Sequence, residues 1–256
     1  MAWVRPQSRA QLRNRCDIWA VIPAAGIGAR MRSDVPKQYL SLVDRPVIEH
    51  TINKLLSVAG INGLVVALQP DDAYWPKISI DSDKPVIVAE GGEQRCHSVM
   101  NALDVLSRQP DYRPDTTWAL VHDAVRPCVS KADIWKLIDL AAGTESGGLL
   151  AVPVRDTMKR QGADQCVEQT IDRTGLWHAL TPQLFACNTL YRALESALAA
   201  EYLVTDESSA MEYVGHRPML VAGSESNIKI TRPADLLMAE LYTKVMSPSV
   251  DSGDHL

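Results

Sequence analysis

Apolar runs rich in branched residues alternate along this chain with segments whose apolar residues recur at helical spacing. The predicted strands are residues 18–22, 64–68, 85–89, 117–121 and 219–221. Between them, Ile48, Ile52 and Leu55 fall on one helical face, with Gly60 placed to end that helix. This alternation predicts an α/β protein with a Rossmann-like, mostly parallel open sheet flanked by helices.

Local signals predict where two helices begin and where a late strand runs. Ser130 with Asp133 resembles a capping box, while Thr231 as cap and Pro233 in the first turn mark the start of the last helix. Residues 227–230 alternate, so that Asn227 and Lys229 would share one face of an edge strand.

The alternation of strands and helices breaks between residues 152 and 185, where short alternating segments surround Gly162 and Gly175. Such a pattern is typical of a hairpin, and a lone hairpin is barely stable in water. We therefore expect a β-arm that projects from the main sheet and pairs two subunits in a homodimer. Around it, residues 17–246 are expected to form a single domain. Residues 1–16 are expected to be a disordered polar leader and residues 247–256 a disordered tail.

Composition narrows the classes of protein that fit. The chain has 256 residues, of which 46% are hydrophobic, and a formal net charge of -5. It can build a large core, and it is not a general nucleic-acid binder held by a basic surface. No apolar run is long enough for a membrane span, and the polar N-terminus is not expected to be a signal peptide. The five scattered cysteines favour reduced thiols in the cytoplasm over disulfides or a zinc site.

The first polar loop, PAAGIGARM at residues 23–31, follows the first predicted strand directly, and Lys37 comes shortly after. Gly26 and Gly28 would let backbone N–H groups approach a phosphate, and Arg30 and Lys37 would add positive charge. A dinucleotide motif would need a further glycine at Met31, and a Walker A motif would need GK[ST]; both are absent. A plain tight turn with a surface arginine and lysine stays open at this point.

Two further polar segments, GGEQRCHS at residues 91–98 and HDAVRP at 122–127, also follow predicted strands. Because ligands bind outside the carboxyl ends of strands in open α/β sheets, the three loops are expected to form one site. The simpler alternative is that Asp123 caps the next helix and pairs with Arg126. We expect His122 and His178 to pack or cap rather than to transfer protons.

Eight segments, taken in order, resemble one family. PAAGIGARM, VPKQYL, GGEQRCHS, HDAVRP, VRDTMKR, GLWHALTPQLF, TDESSAMEY and NIKITRP together resemble the 2-C-methyl-D-erythritol 4-phosphate cytidylyltransferases of the non-mevalonate isoprenoid pathway, from about residue 18 to residue 246. The resemblance implies transfer of CMP from CTP to the methylerythritol phosphate, with release of pyrophosphate. A divalent cation, Mg²⁺ above all, is expected mainly on the CTP phosphates, with no metal ligands from the protein.

The resemblance also implies three sets of site residues. Those implied to bind CTP are Ala24, Ala25, Gly26, Gly92, Glu93 and Ser98. The implied catalytic residues are Arg30, Lys37, Arg173 and Lys229. Those implied to bind the second substrate are Asp123, Arg126, Thr157, Arg173, Thr205 and Lys229. Arg173 lies in the expected arm and would act on the site of the neighbouring subunit.

Other functions remain possible from the sequence. The nearest is a cytidylyltransferase for another polyol phosphate, such as ribitol 5-phosphate. A non-catalytic nucleotide-binding regulatory domain is less favoured, because simple binding would not need four cations directed at two phosphates. A dehydrogenase is less favoured still, since the third glycine is missing.

Overall fold

A computed structural model describes residues 16–26, 31 and 35–246 of the chain. Within these residues the strands are β1 (Asp17–Pro23), β2 (Ser41–Leu42), β3 (Arg45–Pro46), β4 (Ile61–Leu68), β5 (Val86–Glu90), β6 (Thr117–Val121), β7 (Gly148–Pro153), β8 (Met158–Gln161), β9 (Val167–Ile171), β10 (Trp177–Ala186) and β11 (Met219–Ala222). The α-helices are α1 (Val47–Leu56), α2 (Arg95–Ser107), α3 (Lys131–Ala141), α4 (Cys187–Ala199), α5 (Glu207–Tyr213) and α6 (Pro233–Met246). Short 3₁₀ turns cover Lys37–Tyr39 and Trp75–Lys77.

Seven strands form one sheet in the order β11-β7-β10-β6-β1-β4-β5. β1 lies between β6 and β4 and is parallel to both, and β5 extends this parallel half. β10 runs antiparallel to both of its neighbours, β6 and β7, while β11 pairs parallel with β7. The predicted Rossmann-like, mostly parallel open sheet is confirmed, with one antiparallel strand near its middle.

β1 divides the core into two layers, because successive side chains of a strand point to opposite faces. Ile18 and Ile22 share a buried cluster with apolar residues of α1 and α3. Trp19 and Val21 share the other cluster with residues of α2 and α4. Burial on both faces explains why this strand is an unbroken apolar run in the sequence.

The cap predicted for α3 is confirmed, whereas the Thr231 cap predicted for the last helix is wrong, although Pro233 does lie in its first turn. Ser130 caps α3, since its Oγ accepts a hydrogen bond of 3.0 Å from the Asp133 amide. The last helix begins at Pro233, one residue later than a Thr231 cap would require. There the Asp235 carboxylate accepts hydrogen bonds from the Thr231 amide at 2.9 Å and the Arg232 amide at 2.8 Å. The two amides that precede the helix are therefore satisfied by a carboxylate inside it, and the Thr231 hydroxyl also donates to that carboxylate, at 2.8 Å.

Gly60 does not end the first helix. α1 stops at Leu56, and Ser57 follows as its C-terminal cap. A Cβ at Gly60 would lie 2.8 Å from the Trp135 ring. The glycine is therefore explained by close packing against a ring of α3 rather than by helix termination.

The segment from residue 152 to residue 185 contains the predicted hairpin, but its two ends belong to the main sheet. β8 and β9 pair antiparallel as a separate two-stranded sheet. Val152 pairs with His178 between β7 and β10, and Phe185 pairs with Ala119 of β6. Sequence alternation alone missed these pairings, because they join residues far apart in the chain. Projection of the hairpin as an arm, and its use in dimerisation, stay predictions.

Residues 227–230 form no strand, contrary to expectation. The Ile230 amide donates to the Val125 carbonyl at 2.9 Å, so this extended segment is tied to a loop rather than to a neighbouring strand. Its two isoleucines do pack together in an apolar cluster, as the alternation predicted.

The predicted leader and tail lie outside the described residues, apart from Cys16, which is buried. The single-domain boundaries stay a prediction.

None of the described helices is both long and apolar enough to cross a membrane.

Phe185 offers a test of the central antiparallel strand. Its side chain is fully buried in the cluster shared with α2 and α4. Phe185→Ala should lower the free energy of unfolding by about 3–5 kcal/mol, because it removes buried apolar contacts and leaves a cavity. Urea unfolding followed by circular dichroism measures this loss. Val167→Ala in β9, a position that is 62% exposed, is the control and should change stability by less than about 0.5 kcal/mol. Similar losses in both variants would contradict the assigned place of β10.

Candidate active site

The carboxyl ends of four neighbouring strands meet at one edge of the sheet. Pro23 at the end of β1 pairs with Ala67 of β4, and β4 and β5 end together. β6 ends at Val121, which is level with Val21. The loops that follow these strands surround an open cavity of about 650 Å³. The expected convergence of the polar loops is therefore present.

The loop after β1 brings Ala24, Ala25 and Gly26 to the cavity wall. Gln38, which is buried, donates from Nε2 to the Ala24 carbonyl at 2.8 Å and fixes the course of this loop. Sequence reasoning did not select Gln38, although it lies beside Lys37 in the VPKQYL segment. Lys37 itself lines the cavity.

Arg30 and Gly28 lie outside the described residues. The role implied for Arg30 therefore stays a prediction.

The glycine pair after β5 packs closely against the first loop. A Cβ at Gly91 would lie 2.2 Å from the Ala25 Cβ, so only glycine allows this approach. The Gly92 amide donates to Ser98 Oγ at 3.0 Å, and Ser98 is buried. Glu93 is exposed and lines the cavity beside them. Gly92, Glu93 and Ser98, all implied to bind CTP, thus lie together, and Ser98 holds the loop in shape.

Asp123 is the centre of a charged cluster in the cavity wall. Its Oδ1 accepts from Arg95 Nε at 3.0 Å, and its Oδ2 lies 2.9 Å from Lys229 Nζ and 3.3 Å from Arg126 Nε. Burial opposes ionisation of this carboxyl, but the positive charges of Arg95, Lys229 and Arg126 outweigh it and hold its pKa well below the usual range. Asp123 is therefore a permanent anion shared by three cations.

Arg95 extends the cluster to a second buried acid. Its Nη1 and Nη2 donate to the two carboxylate oxygens of Glu207 at 2.5 and 3.0 Å, and Glu207 has no exposed surface. Burial works against the charge of Arg95, yet Glu207 and Asp123 together raise its pKa. Neither Arg95 nor Glu207 was selected from the sequence. Arg95 lies within GGEQRCHS and Glu207 within TDESSAMEY, so both segments were marked without these residues being singled out.

Arg126 lies behind the cavity instead of lining it. It is buried, and its Nη1 donates to the Asn227 carbonyl at 2.7 Å. Its bond to Asp123 matches the simpler alternative drawn from the sequence, but Asp123 does not cap the next helix because Ser130 does. In this arrangement Arg126 supports Asp123 and anchors the 227–230 segment.

His122 is fully buried and held from both sides of its ring. Nε2 lies 3.0 Å from the Arg126 carbonyl, and Nδ1 lies 3.0 Å from Thr181 Oγ1, which also accepts from the Asp123 amide. These partners suit a neutral ring with its proton on Nε2. Burial lowers the pKa of His122 to about 4. The expectation that His122 packs is confirmed, whereas His178 is exposed on β10.

Three predicted substrate residues lie away from the cavity of this single chain. Thr157 and Arg173 are exposed near the β8–β9 hairpin, and Arg173 Nη1 donates to the Arg155 carbonyl. Thr205 is exposed beside α5, with its amide bonded to Ser209 Oγ at 3.1 Å. Their roles stay predictions.

The described residues provide no evident cage for a metal ion. Among them, no three His, Cys, Asp or Glu side chains form a group that could hold one. All five cysteines fall within the described ranges, and each is free of a disulfide.

Comparison with known proteins points to one family. The sequence model of the 2-C-methyl-D-erythritol 4-phosphate cytidylyltransferases matches residues 18–245. The enzyme of that name from Vibrio vulnificus strain YJ016 is 49% identical over 230 residues, covering 90% of this chain and 96% of the relative. The Pseudomonas entomophila enzyme is 50% identical over 218 residues, covering 85% and 92%. The crystal structure of the Francisella tularensis enzyme aligns with a TM-score of 0.73 at 36% identity, covering 88% of this chain and 99% of that one.

A pH dependence of stability follows from the buried neutral histidine. The pKa of His122 falls from 6.5 to about 4 on folding, so between these pH values the unfolded chain binds a proton that the native protein does not. Stability from this group is present above pH 6.5 and is lost as the pH falls towards 4. Relative to His122→Gln, the wild type should therefore lose about 2 kcal/mol of unfolding free energy between pH 7 and pH 5. Urea unfolding at both pH values measures the difference. A difference that does not change with pH would show that His122 titrates normally in the native protein.

Proposed function

The chain belongs to the 2-C-methyl-D-erythritol 4-phosphate cytidylyltransferase family, and we propose that the cavity at the carboxyl edge of its sheet is where CMP is transferred. The enzyme transfers CMP from CTP to 2-C-methyl-D-erythritol 4-phosphate and releases pyrophosphate, in the biosynthesis of isoprenoid precursors. One observation carries the proposal about the site. Three strand-end loops converge on one cavity together with Lys37 and Lys229.

In this proposal CTP binds against the loop of Ala24, Ala25 and Gly26, whose backbone can approach the phosphates without obstruction by side chains. Gly92, Glu93 and Ser98 line the cytosine pocket. The tight contact of Gly91 with Ala25 brings this pocket close to the phosphate loop. Binding of the base and binding of the triphosphate are thus coupled through adjoining backbone.

The chemistry needs positive charge more than it needs a base. A phosphate oxygen of the methylerythritol phosphate attacks the α-phosphorus of CTP. A new P–O bond forms there, the bond from the α-phosphorus to the bridging oxygen breaks, and its electron pair leaves with pyrophosphate. The second pKa of such a monoester is about 6, so the nucleophile is already ionised at neutral pH. The cost lies in bringing an anion against a triphosphate, and catalysis consists of positioning and charge neutralisation.

Lys37 and Arg30 are assigned to the α-phosphate and the departing pyrophosphate, and Lys229 to the attacking phosphate. The cluster around Asp123 supports this assignment for Lys229. Its three cations and two carboxylates leave one net positive charge at the cavity wall. Because Arg95 and Arg126 also neutralise Asp123, Lys229 is oriented by the carboxylate without its charge being fully cancelled.

We further propose that Mg²⁺ accompanies the CTP triphosphate and neutralises part of its charge. Asp123 is the buried acid at the cavity, but three cations already contact it, which makes it a poor metal ligand. Phosphate oxygens and waters are then the natural ligands of the ion, as Mg²⁺ prefers.

A homodimer in the cytoplasm is the assembly that we propose. β8 and β9 expose nearly all of their residues, and a two-stranded hairpin buries too little to be stable alone. Two hairpins that clasp each other across a two-fold axis would bury these surfaces. Thr157 and Arg173 would then serve the neighbouring subunit's cavity. Five cysteines without a disulfide agree with a reducing compartment.

Lys37→Ala tests the assigned chemistry. If Lys37 acts mainly on the transition state, its loss should lower kcat by roughly 100- to 1,000-fold, about 3–4 kcal/mol, with a smaller effect on CTP binding. Steady-state kinetics with both substrates and a pyrophosphate-release assay measure these constants. Lys136→Ala is the control, since Lys136 is exposed on α3, does not line the cavity among the described residues, and donates from Nζ to the Ala222 carbonyl. A normal kcat with only a raised KM for CTP would refute the assignment.

Subunit complementation tests the shared site. Arg173→Ala and Lys37→Ala chains should each be nearly inactive as homodimers. After subunit exchange, a heterodimer would carry one site with both defects and one intact site. Activity should return towards half of the wild-type value per heterodimer, as measured by pyrophosphate release. If mass spectrometry shows exchange and activity stays absent, Arg173 acts within its own chain and the shared-site proposal is wrong.

A further inference from the structure

A second cavity, of about 640 Å³, has no lining residue in common with the first within the described part of the chain. Its wall is formed by the turn at residues 43–45, the C-terminal half of α1, Pro127 and Cys128, the start of α3 and the end of α6. It is nearly as large as the cavity proposed for CTP.

Positive charge dominates this second cavity. Lys54, Lys131 and Lys244 all line it, and among the described residues none of the three has a carboxylate within salt-bridge distance. Its one acidic lining residue, Asp44, lies 3.8 Å from Arg45. Three lysines therefore line a shared space with little compensating charge.

The lysines also affect each other. Lys54 is half-buried, and this burial, together with the nearby charge of Lys131, lowers its pKa. Both effects disfavour the charged form of Lys54. A bound anion would counter them by stabilising that charged form.

A hydrogen-bond donor without an acceptor lies in the same wall. Asn53 Oδ1 accepts from the Asp81 amide at 3.0 Å, which fixes the orientation of the side-chain amide. Its Nδ2 then lies buried with no hydrogen-bond acceptor in the described structure. Unsatisfied buried donors are rare in native proteins and call for an explanation. Positive charge is therefore in excess in this cavity, and Asn53 of its wall keeps a buried donor without an acceptor among the described residues.

We propose that the second cavity binds a small phosphorylated anion that carries at least two negative charges. Phosphate oxygens accept several hydrogen bonds at once, and lysine binds phosphate as a point charge. The volume suits a small metabolite, which typically occupies a cleft of roughly 300–1,000 Å³. Pro127 and Cys128 in its wall directly follow Arg126, so a ligand there would touch the continuation of the loop that carries Asp123.

Inorganic phosphate is the probe for this site, and the measurement follows two of the cavity lysines directly. In full-length protein labelled with ¹³C-lysine, the Cε signals of Lys54 and Lys131 are followed by NMR during a phosphate titration. Lys54→Gln and Lys131→Gln assign these two signals. Both signals should shift saturably, and the pKa of Lys54 should rise when phosphate is bound. Activity is not the readout, so the result does not depend on the proposed catalytic roles.

Lys131 and Lys136 supply a matched pair on one helix. Lys131→Gln should weaken the phosphate response of Lys54 by roughly tenfold, because one charge-assisted contact is lost. Lys136→Gln removes the same charge from α3 outside the cavity and should leave the response unchanged. The proposal is overturned if Lys54 does not respond or if both variants weaken its response equally. It is also overturned if every lysine signal drifts with concentration without saturating, which indicates ionic screening alone.

Discussion

A buried carboxylate remains charged only where cations or hydrogen-bond donors replace the water it has lost, and at Asp123 three cations meet this requirement and organise the cavity edge of the fold. Its three cations come from separate parts of the chain: the start of α2, the loop after β6 and the segment before α6. Arg95 and Lys229 each bring their own segment to the cavity, whereas Arg126 belongs to the loop of Asp123 itself. Arg95 also draws in α5 through Glu207, and Arg126 holds the 227–230 segment through the Asn227 carbonyl. The cavity wall is therefore assembled by charge pairing as well as by the sheet.

Several parts of the fold that follow from short-range physics were predicted from the sequence, although the Thr231 cap, the helix end at Gly60 and the strand at 227–230 were wrong. β1, β4 and β6 are buried on both faces, so each is an apolar run that a pattern reveals without knowledge of its partners. The cap at Ser130 depends on residues three apart and was also found. The meeting of three polar loops followed from the rule that parallel strands end at one edge. Adjacency in sequence or in topology was enough for all of these.

Long-range partners could not be predicted in this way. Arg95 and Glu207 are 112 residues apart, and nothing local to either residue indicates the other. β10 occupies the middle of the sheet as an antiparallel strand because it pairs with β6 and β7, not because of its own composition. Thr157 and Arg173 present a different limit. The family resemblance implied roles for them, yet a single chain leaves both away from the cavity, so these roles stay predictions.

Electrostatic interactions in this protein act over short distances, which explains how a chain with a net negative charge can bind anionic substrates. The formal net charge is -5, yet the wall around Asp123 carries a net positive charge and the second cavity presents three lysines without carboxylate partners among the described residues. At physiological salt, charges more than about 8–10 Å apart in solvent are largely screened from each other. A phosphate that enters either cavity therefore meets the few cations beside it and little of the distant acidic surface. The net negative charge therefore excludes a diffuse attraction for polyanions, but it does not exclude discrete anion-binding sites built from a few local cations.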